Sequence, residues 1–460
     1  MACRIFDFVV GDFELNSNLD IAQDQIMKRR DFLVLSASGI VALPSYAVLA
    51  AAEPVVLTAA ATSQQLLPTK YGGPTNVLGF NGSVPGPTLR AVQNTSFAVR
   101  LDNNLAQDTA VHWHGVRLAN AMDGVPGLTQ SAVSPGDSFY YEFVPPDAGT
   151  YWYHSHFLSN EQIARGLMGP LVVEENNPPD VDHDIVAMFA DWRLQEDGTM
   201  AEGFGNMHDM AHAGRMGNFA RVFLPETELR TGQRIRLRLI NGAVDRIFPL
   251  ILKGLSGKIV ALDGMPLREP RDWNMPVLAP AQRVDIIADV TGPMELEMDH
   301  RQGAYPLGGL EVSGSVAPRQ SSIPTLPPNQ VSTPGDPART LRLVMRGGAM
   351  GGQHGGDDIW SFNDVSGMTD APFAEVTRGE TLRIQMVNDT SFPHGIHLHG
   401  HHFYELAADG TRGDFRDTTL VDPGTSRDIL CLFDNPGKWM LHCHMLSHQA
   451  RGMKTWVQVT

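Results

Sequence analysis

The most regular feature of the chain is an alternation of apolar and polar residues that recurs three times. It runs through residues 99–103, 235–241 and 382–388, and each run closes on an asparagine. Alternation with a period of two places the apolar side chains on one face, as in a half-buried β-strand. The runs are spaced by about 140 residues. The pattern therefore predicts three copies of one β-rich unit.

The first and third units share more than this pattern. A Pro-Gly pair begins 19 residues before a His-x-His motif in both, at Pro135 before His154 and at Pro423 before His442. The counterpart segment in the second unit, residues 248–252, is plainly apolar and holds no histidine. We therefore expect the chemistry to lie in the first and third units, with the second unit as a spacer.

Turn residues and composition define the predicted domains. The 460 residues include 45 Gly and 31 Pro, which favours a turn-rich, all-β protein of several domains. An Asn-Asn-Pro-Pro run at 176–179 marks one boundary, and a proline-rich run at 318–337 is typical of a linker. We predict Greek-key β-sandwich domains at residues 53–177 and 178–317, and a linker with a third domain at 318–460.

The net charge narrows the range of partners. With 35 basic and 51 acidic residues, the formal net charge is −16. Such a chain is a poor binder of nucleic acid, so we expect no nucleic-acid partner.

Residues 1–52 are predicted to be an N-terminal extension with a targeting signal. The twin arginine Arg29-Arg30 precedes an apolar run at residues 33–52 that ends in small residues. This order is typical of a bacterial Tat-type export signal. The alternative is a membrane anchor, which Gly39 and Pro44 within the run disfavour. We expect a periplasmic or otherwise exported protein with no membrane span after removal of the signal.

Cysteine use indicates metal binding. The chain has three cysteines, of which Cys3 lies before the signal. Cys443 stands between two histidines, which leaves Cys431 without a disulfide partner. An exported chain without a disulfide pair uses a cysteine for other chemistry. We expect Cys431 to be a buried apolar residue.

Four histidine motifs carry the candidate chemistry. They are His112-Trp113-His114, His154-Ser155-His156, His394-Gly395-Ile396-His397-Leu398-His399 and His442-Cys443-His444. With His448 they hold ten of the chain's 17 histidines. Neighbouring side chains of a strand point to opposite faces, so Cys443 can face one metal while its two histidine neighbours face another. Chance surface histidines are the alternative, and four such motifs make it a poor one.

The motifs resemble, in their order, those of the multicopper oxidases, a family that includes laccases and bacterial copper-efflux oxidases. The resemblance covers residues 55–460 and implies three cupredoxin-like domains with four copper ions, one type 1, one type 2 and two type 3. The implied type 1 ligands are His394, Cys443, His448 and Met453. The implied type 2 ligands are His112 and His397. The implied type 3 ligands are His114, His154, His156, His399, His442 and His444.

The resemblance also implies the reaction. Single electrons from a small phenolic or metal-ion donor would enter at the type 1 copper, and dioxygen would be reduced to water at the other three. Cys443 would be catalytic, because its backbone joins it to His442 and His444. In the first unit, Ser155 occupies the position that corresponds to Cys443 in the third unit. The first unit is therefore not expected to form a type 1 site.

Asp123 is the second candidate catalytic residue. It lies in a run, residues 123–130, that looks like the family segment whose acid sits near the type 2 copper. We expect it to deliver protons or to fix a bound water; a turn-forming Asp-Gly pair is the alternative. Many bacterial members have an acid just before the second type 1 histidine, where this chain has Ser447. This difference puts in doubt the second proton route of those members. Glu161 or a chain of water molecules is the alternative route.

The electron donor stays open between two classes. Met207, His208, Met210, His212 and Met216 form one cluster, and soft thioether ligands favour Cu(I). Packing methionines in a loop are the alternative explanation. A sparser group contains Met345, Met350 and His354.

The sequence therefore leaves two hypotheses for the function: a laccase-like oxidase that acts on phenols, and a metal-ion oxidase that serves copper tolerance. A non-enzymatic cupredoxin scaffold is a further reading, but degenerate relatives of that kind lack the histidines and the cysteine. A copper nitrite reductase has fewer motifs and two domains, so the three repeats argue against it.

Overall fold

A computed structural model describes residues 53–349 and 358–460 of the chain. The predicted export signal, Cys3, Met350 and His354 lie outside these residues. Among the described residues, no helix has the length and apolar character needed to cross a membrane.

The first domain is a sandwich of two four-stranded sheets. One sheet has the order β2-β1-β4-β6 and the other β3-β8-β7-β5. The strands are β1 (Val55–Gln64), β2 (Thr75–Phe80), β3 (Leu89–Val92), β4 (Phe97–Asn104), β5 (Val111–His114), β6 (Ser138–Phe143), β7 (Gly149–Ser155) and β8 (Met168–Glu174). A 3₁₀ turn spans Asn120–Met122, and helix α1 spans Ser159–Arg165.

The second domain is built around an eight-stranded sheet. Its main path is β10-β9-β12-β16-β13-β14, with β15 beside β13 and β17 beside β16, and β11 pairs with β18. The elements are β9 (His183–Trp192), α2 (Met207–Ala211), β10 (Phe219–Phe223), β11 (Leu229–Thr231), β12 (Arg234–Asn241), β13 (Phe248–Leu262), β14 (Met265–Arg271), β15 (Val277–Leu278), β16 (Arg283–His300), β17 (Gly303–Leu310) and β18 (Val312–Ser315).

The third domain has a six-stranded sheet, β20-β19-β22-β27-β24-β25, and a five-stranded sheet, β21-β29-β28-β23-β26. Its elements are β19 (Arg339–Gly347), β20 (Trp360–Phe362), β21 (Ala374–Val376), β22 (Glu380–Asn388), β23 (His394–Leu398), β24 (Phe403–Leu406), β25 (Arg412–Arg416), β26 (Thr418–Val421), β27 (Ser426–Phe433), β28 (Gly437–Cys443), α3 (Leu446–Ala450) and β29 (Lys454–Val459).

The three alternating runs of the sequence occupy equivalent strands. They form β4, β12 and β22, which pair in parallel with β1, β9 and β19. On the other side each pairs antiparallel, with β6, β16 and β27. The prediction of an all-β fold with three cupredoxin-like Greek-key domains is confirmed.

The asparagine that closes each run has a common structural role. Asn103, Asn241 and Asn388 are buried. The side-chain oxygen of each accepts the backbone N–H of the residue two positions later, at 2.9–3.1 Å. Each side-chain nitrogen donates to two backbone carbonyls. A buried polar group needs such partners, and here they pin the turn that leaves the strand.

One alternating run departs from the half-buried strand that its pattern predicts. All eight residues of β12 are buried. The side chains of Arg236 and Arg238 on its polar face pair with Asp285 and Asp184, at 2.6 Å in both cases. These two arginine side chains can thus be buried because each is paired with a carboxylate.

Packing joins the domains. One cluster of buried apolar side chains contains residues of the first and third domains together, including Trp113 and Trp439. The predicted linker has no strand and is bound along its length: Leu326 is buried against Ile287, and Asn329 bonds both the N–H and the carbonyl of Ala148. Eight of the candidate histidines lie where the first and third domains meet.

Candidate metal centre

Strand pairing aligns the histidine motifs. His112 on β5 is opposite His154 on β7, and His397 on β23 is opposite His442 on β28. Ile396, the neighbour of His397, is opposite Cys443. Side chains alternate along each strand, so the histidines and the cysteine emerge on opposite faces.

Eight histidines converge between the first and third domains, and we refer to them as the imidazole cluster. Three groups have ligand atoms within 4.8 Å of one another: His112, His114 and His397; His114, His154 and His444; and His156, His399 and His442. All eight are buried. Four come from each domain, so neither domain forms the cluster alone.

Hydrogen bonds fix the tautomer of five of these rings. In each, Nδ1 faces an oxygen that can only accept, so Nδ1 carries the proton and Nε2 keeps a free lone pair. The pairs are His112 with the Asp123 carbonyl at 2.7 Å, His154 with the Ser155 carbonyl at 3.0 Å, His397 with the Asp417 carbonyl at 2.9 Å, His442 with the Cys443 carbonyl at 2.9 Å, and His399 with Asp123 Oδ2 at 2.9 Å.

The free ring nitrogens fit bound cations. Nε2 of His112, His154 and His397 and both ring nitrogens of His444 are buried without a hydrogen-bond partner. Leaving buried nitrogens unpaired costs free energy, and a metal ion compensates that cost. Burial lowers the pKa of seven rings of the imidazole cluster and of His394, which keeps these rings in the neutral form that binds metal. They are His114, His154, His156, His394, His397, His399, His442 and His444.

Two buried carboxylates border the imidazole cluster. Asp123 places Oδ2 at 2.9 Å from Nδ1 of His399 and Oδ1 at 3.3 Å from Nδ1 of His112, and so contacts candidate ligands from both domains. Asp123 thus lies beside His112, the residue that the resemblance assigns to the type 2 copper.

Asp417 was not singled out in the sequence. Its Oδ1 lies 3.3 Å from Nε2 of His114, and Arg283 of the second domain pairs with Oδ2 at 2.6 Å. Burial opposes its ionisation, yet Arg283 and the neighbouring histidines hold the pKa of Asp417 well below its usual value. The Asp417 carbonyl accepts the Nδ1–H of His397 as the Asp123 carbonyl accepts that of His112, an equivalence that the structure shows and the sequence spacing does not.

His394, Cys443 and His448 form a second group, which we call the thiol cluster. Sγ of Cys443 is 3.5 Å from Nδ1 of His394 and 3.8 Å from Nδ1 of His448. The outer nitrogens are occupied: Nε2 of His394 contacts Thr390 Oγ1 at 2.8 Å, and Nε2 of His448 contacts the His212 carbonyl at 2.7 Å. The two Nδ1 atoms are therefore the ones presented to a metal.

The thiol needs a cation beside it to ionise. Burial raises the pKa of Cys443 far above its usual value. Imidazole, thiolate and thioether form the ligand set of a blue-copper site, and the cluster supplies the first two. Met453 is fully buried, and its carbonyl accepts the Cys443 N–H at 3.0 Å. Cys431, as predicted, is buried and lies apart from these groups in β27.

Ser447, where the resemblance leads one to expect an acid, contacts one instead. Its N–H and hydroxyl donate to the two carboxylate oxygens of Asp245, at 3.1 and 2.6 Å. Burial raises the pKa of Asp245 to about 6. Glu161, the suggested substitute, has its carboxylate bonded to Arg165 at 2.8 Å. Sequence reasoning missed Asp245 because it lies about 200 residues from Ser447.

The Met/His stretch lies against the thiol cluster. Helix α2 ends beside His212, whose carbonyl contacts His448. The rings of His208 and His212 are 4.1 Å apart, and Met207 is exposed. Met210 is buried in the core, so the packing explanation holds for this residue. Of the other histidines, His402 places Nε2 3.4 Å from Asp417.

Comparison with known proteins identifies the family. Three multicopper oxidase models match residues 62–178, 183–295 and 337–460. The chain is 30% identical over 431 residues to multicopper oxidase MmcO of Mycobacterium tuberculosis, covering 84% of this chain and 83% of the relative. Laccase-1 of Botryotinia fuckeliana is 29% identical over 453 residues, covering 82% and 77%. Among solved structures, Lac15 from a marine microbial metagenome shows 51% identity and a TM-score of 0.78, covering 88% of this chain and all of Lac15.

The fold and the buried ligand clusters define a copper protein of the cupredoxin type, and the chain belongs to the multicopper oxidase family. It is a copper-dependent oxidoreductase that passes electrons from a donor to dioxygen. The predicted family and activity are confirmed.

Proposed function

We propose that the chain binds four copper ions. His394, Cys443, His448 and Met453 hold a type 1 copper, and His112 with His397 holds a type 2 copper. The type 3 pair is held by His114, His154 and His444 on one side and by His156, His399 and His442 on the other. The free Nε2 atoms and the groupings of the imidazole cluster support this partition.

One observation carries the proposal. The consecutive residues His442, Cys443 and His444 send their side chains into two clusters, the cysteine into the thiol cluster and the histidines into the imidazole cluster. A single covalent segment therefore joins a site for collecting electrons to a site for using them. Bound copper supplies the one-electron redox chemistry and the attachment point for dioxygen.

We assign Asp123 to proton supply and ligand orientation. Its carboxylate bonds the outer N–H of His399, which fixes the ring, and it is 99% buried. Four protons are consumed for each dioxygen reduced, so a carboxylate held beside the cluster shortens their final transfer. Asp417 contacts the cluster from the other side, but Arg283 holds it ionised, which suits orientation better than proton donation.

The donor that we favour is a small phenol, as expected of a laccase-like enzyme. The support is the similarity to Laccase-1 over 82% of the chain. The test is oxygen uptake by the copper-loaded protein with a phenol, Cu(I) and Fe(II) compared at equal concentrations. Turnover of the phenol at the greater rate supports the laccase-like assignment, and turnover of Cu(I) alone would overturn it.

A metal-ion donor is the second candidate. The observation that favours it is the position of α2, whose following residue His212 bonds the type 1 candidate His448 through its carbonyl. The Nδ1 of His212 donates to the His208 carbonyl at 2.7 Å, so its Nε2 is free for a metal. Met207, the first residue of α2, adds an exposed thioether. Copper resistance protein A of Escherichia coli is 25% identical over 83% of the chain.

The location that we propose is the periplasm, reached by Tat export. The support is the twin arginine and apolar run in residues 1–52. Replacing Arg29 and Arg30 with lysine keeps the charge and changes the signal. Fractionation of cells that express the full chain would then show copper oxidase activity lost from the periplasm, and unchanged export would contradict Tat use.

A further inference from the structure

The second domain grips the segment that connects two ligands of the thiol cluster. Between Cys443 and His448, the N–H of Leu446 donates to the carbonyl of Val244 at 3.1 Å. The next residue, Ser447, gives its N–H and its hydroxyl to Asp245 at 3.1 and 2.6 Å. Val244 and Asp245 follow β12 of the second domain, so the start of α3 is fixed from outside its own domain.

The same carboxylate also binds the segment on the other side of His448. Asp245 Oδ2 accepts the N–H of Arg215 at 2.8 Å. The preceding Gly214 has φ of +90°, and a Cβ there would lie 2.3 Å from the carboxylate carbon, so the approach requires glycine. Residue 212, two positions earlier, provides the carbonyl that contacts Nε2 of His448.

Asp245 therefore connects the segment that contains His448 with the segment that contacts its ring. One connection passes through Ser447 to the backbone of His448, and the other through residues 212–215 to its Nε2. Asp245 is fully buried, and all its bonds go to these segments at distances of normal strong hydrogen bonds.

We propose that Asp245 is a positioning residue for the type 1 site, which sets the orientation of His448 and thereby the electronic properties of the copper that it binds. This rests on the assignment of His448 as a type 1 ligand. Groups that hold a ligand ring in place orient it and so tune the metal site. The second domain, which carries no residue of the imidazole cluster or the thiol cluster, thus takes part in the redox function.

The test compares four copper-loaded full-length variants. Asp245→Asn removes the charge with little change in shape, and Ser447→Ala removes the strongest bond to it. The double variant combines both changes. Asp289→Asn is the charge-matched control, because Asp289 pairs with Arg234 within the second domain and does not contact α3.

We expect Asp245→Asn to shift the blue absorption band and the copper hyperfine splitting, and to raise the midpoint potential by loss of a nearby negative charge. Ser447→Ala should change the spectrum in the same direction but less. The double variant should add little to Asp245→Asn, since both changes act on the same contact between residues 245 and 447. Asp289→Asn should match the wild type.

Three results would overturn the proposal: unchanged spectrum and potential in Asp245→Asn at full copper loading, an equal shift in the control, or full additivity in the double variant. If Asp245→Asn does not fold, Ser447→Ala carries the test, and an unchanged spectrum there is the overturning result. A colourless wild type would instead refute the type 1 assignment itself, so the two failures are distinguishable.

Discussion

Replacing Asp123 with asparagine separates its two assigned roles. Asparagine keeps an oxygen that can accept the N–H of His399, and the backbone carbonyl of residue 123 still receives His112. The ligand geometry should therefore survive, and the copper content should stay at the wild-type level. What the variant loses is the ionisable oxygen beside the imidazole cluster.

The size of the effect follows from this geometry. A positioned proton donor contributes about 10²- to 10⁴-fold to a rate, and a hydrogen bond to a charged group contributes about 1.5–3 kcal/mol. Since Asp123→Asn keeps the hydrogen bond in weaker form, we expect turnover to fall by about 10²-fold or more through the proton term. Asp123→Ala leaves the His399 N–H unpaired, so it should lose copper as well.

The assay divides the reaction into two halves. Anaerobic reduction of the blue site by the donor should proceed at the wild-type rate in Asp123→Asn. Reoxidation of the fully reduced protein by dioxygen should be slow. Asp147→Asn is a matched control, because Asp147 is equally buried in the same domain but pairs with Arg117. Unchanged reoxidation at full copper loading, or a slowed reduction half instead, would refute the assignment.

Three further outcomes are expected. His114→Ala and His399→Ala should each abolish dioxygen reduction and keep the blue colour, as checked by absorption and oxygen uptake; a bleached variant that still consumes oxygen would contradict the partition of ligands. Met207→Leu combined with His208→Gln should lower Cu(I) oxidation several-fold and leave phenol oxidation unchanged; equal losses would indicate a folding role. Burial raises the pKa of Asp245 to about 6 in the folded protein, above the pKa of the same group in the unfolded chain. Asp245 is protonated in both states below the unfolded pKa, where folding is not penalised. Stability is lost as the pH rises from that value through 6, because the folded protein must then hold a buried charge. Between pH 4 and 7 the wild type should therefore lose about 2–3 kcal/mol of unfolding free energy relative to Asp245→Asn in urea titrations, at about 1.4 kcal/mol per pH unit; a pH-independent difference would argue against the buried charge.

The features predicted well from sequence are those encoded locally. The alternation at residues 99–103 and 382–388 is preserved as buried and less buried faces of β4 and β22. The His-x-His spacing sends both rings to one face of a strand whatever the domain arrangement, so the motifs carry their own geometry. The asparagine at the end of each run bonds the turn that follows it, at residues 107, 246 and 392, and marks the strand end in all three domains.

The features that sequence reasoning missed depend on contacts between distant segments. Arg283 reaches Asp417 across 134 residues, and Asp245 reaches Ser447 across 202. No local pattern distinguishes these carboxylates from others among the 51 acidic residues. The view of the second domain as a spacer was incomplete for the same reason, since it supplies Arg283, which pairs with Asp417, and Asp245, which accepts from Ser447, beside the candidate ligands.

The central claim is that the segment around Cys443 joins a blue copper site to the oxygen-reducing cluster. The most direct measurement compares the copper-loaded wild type, Cys443→Ser and the matched control Cys431→Ser, which changes the other buried thiol, for absorption near the blue band and for oxygen uptake. We expect Cys443→Ser to lose the colour and the oxidase activity together, while Cys431→Ser keeps both. A Cys443→Ser protein that is blue, or that reduces dioxygen with the donor at the wild-type rate, would contradict the claim.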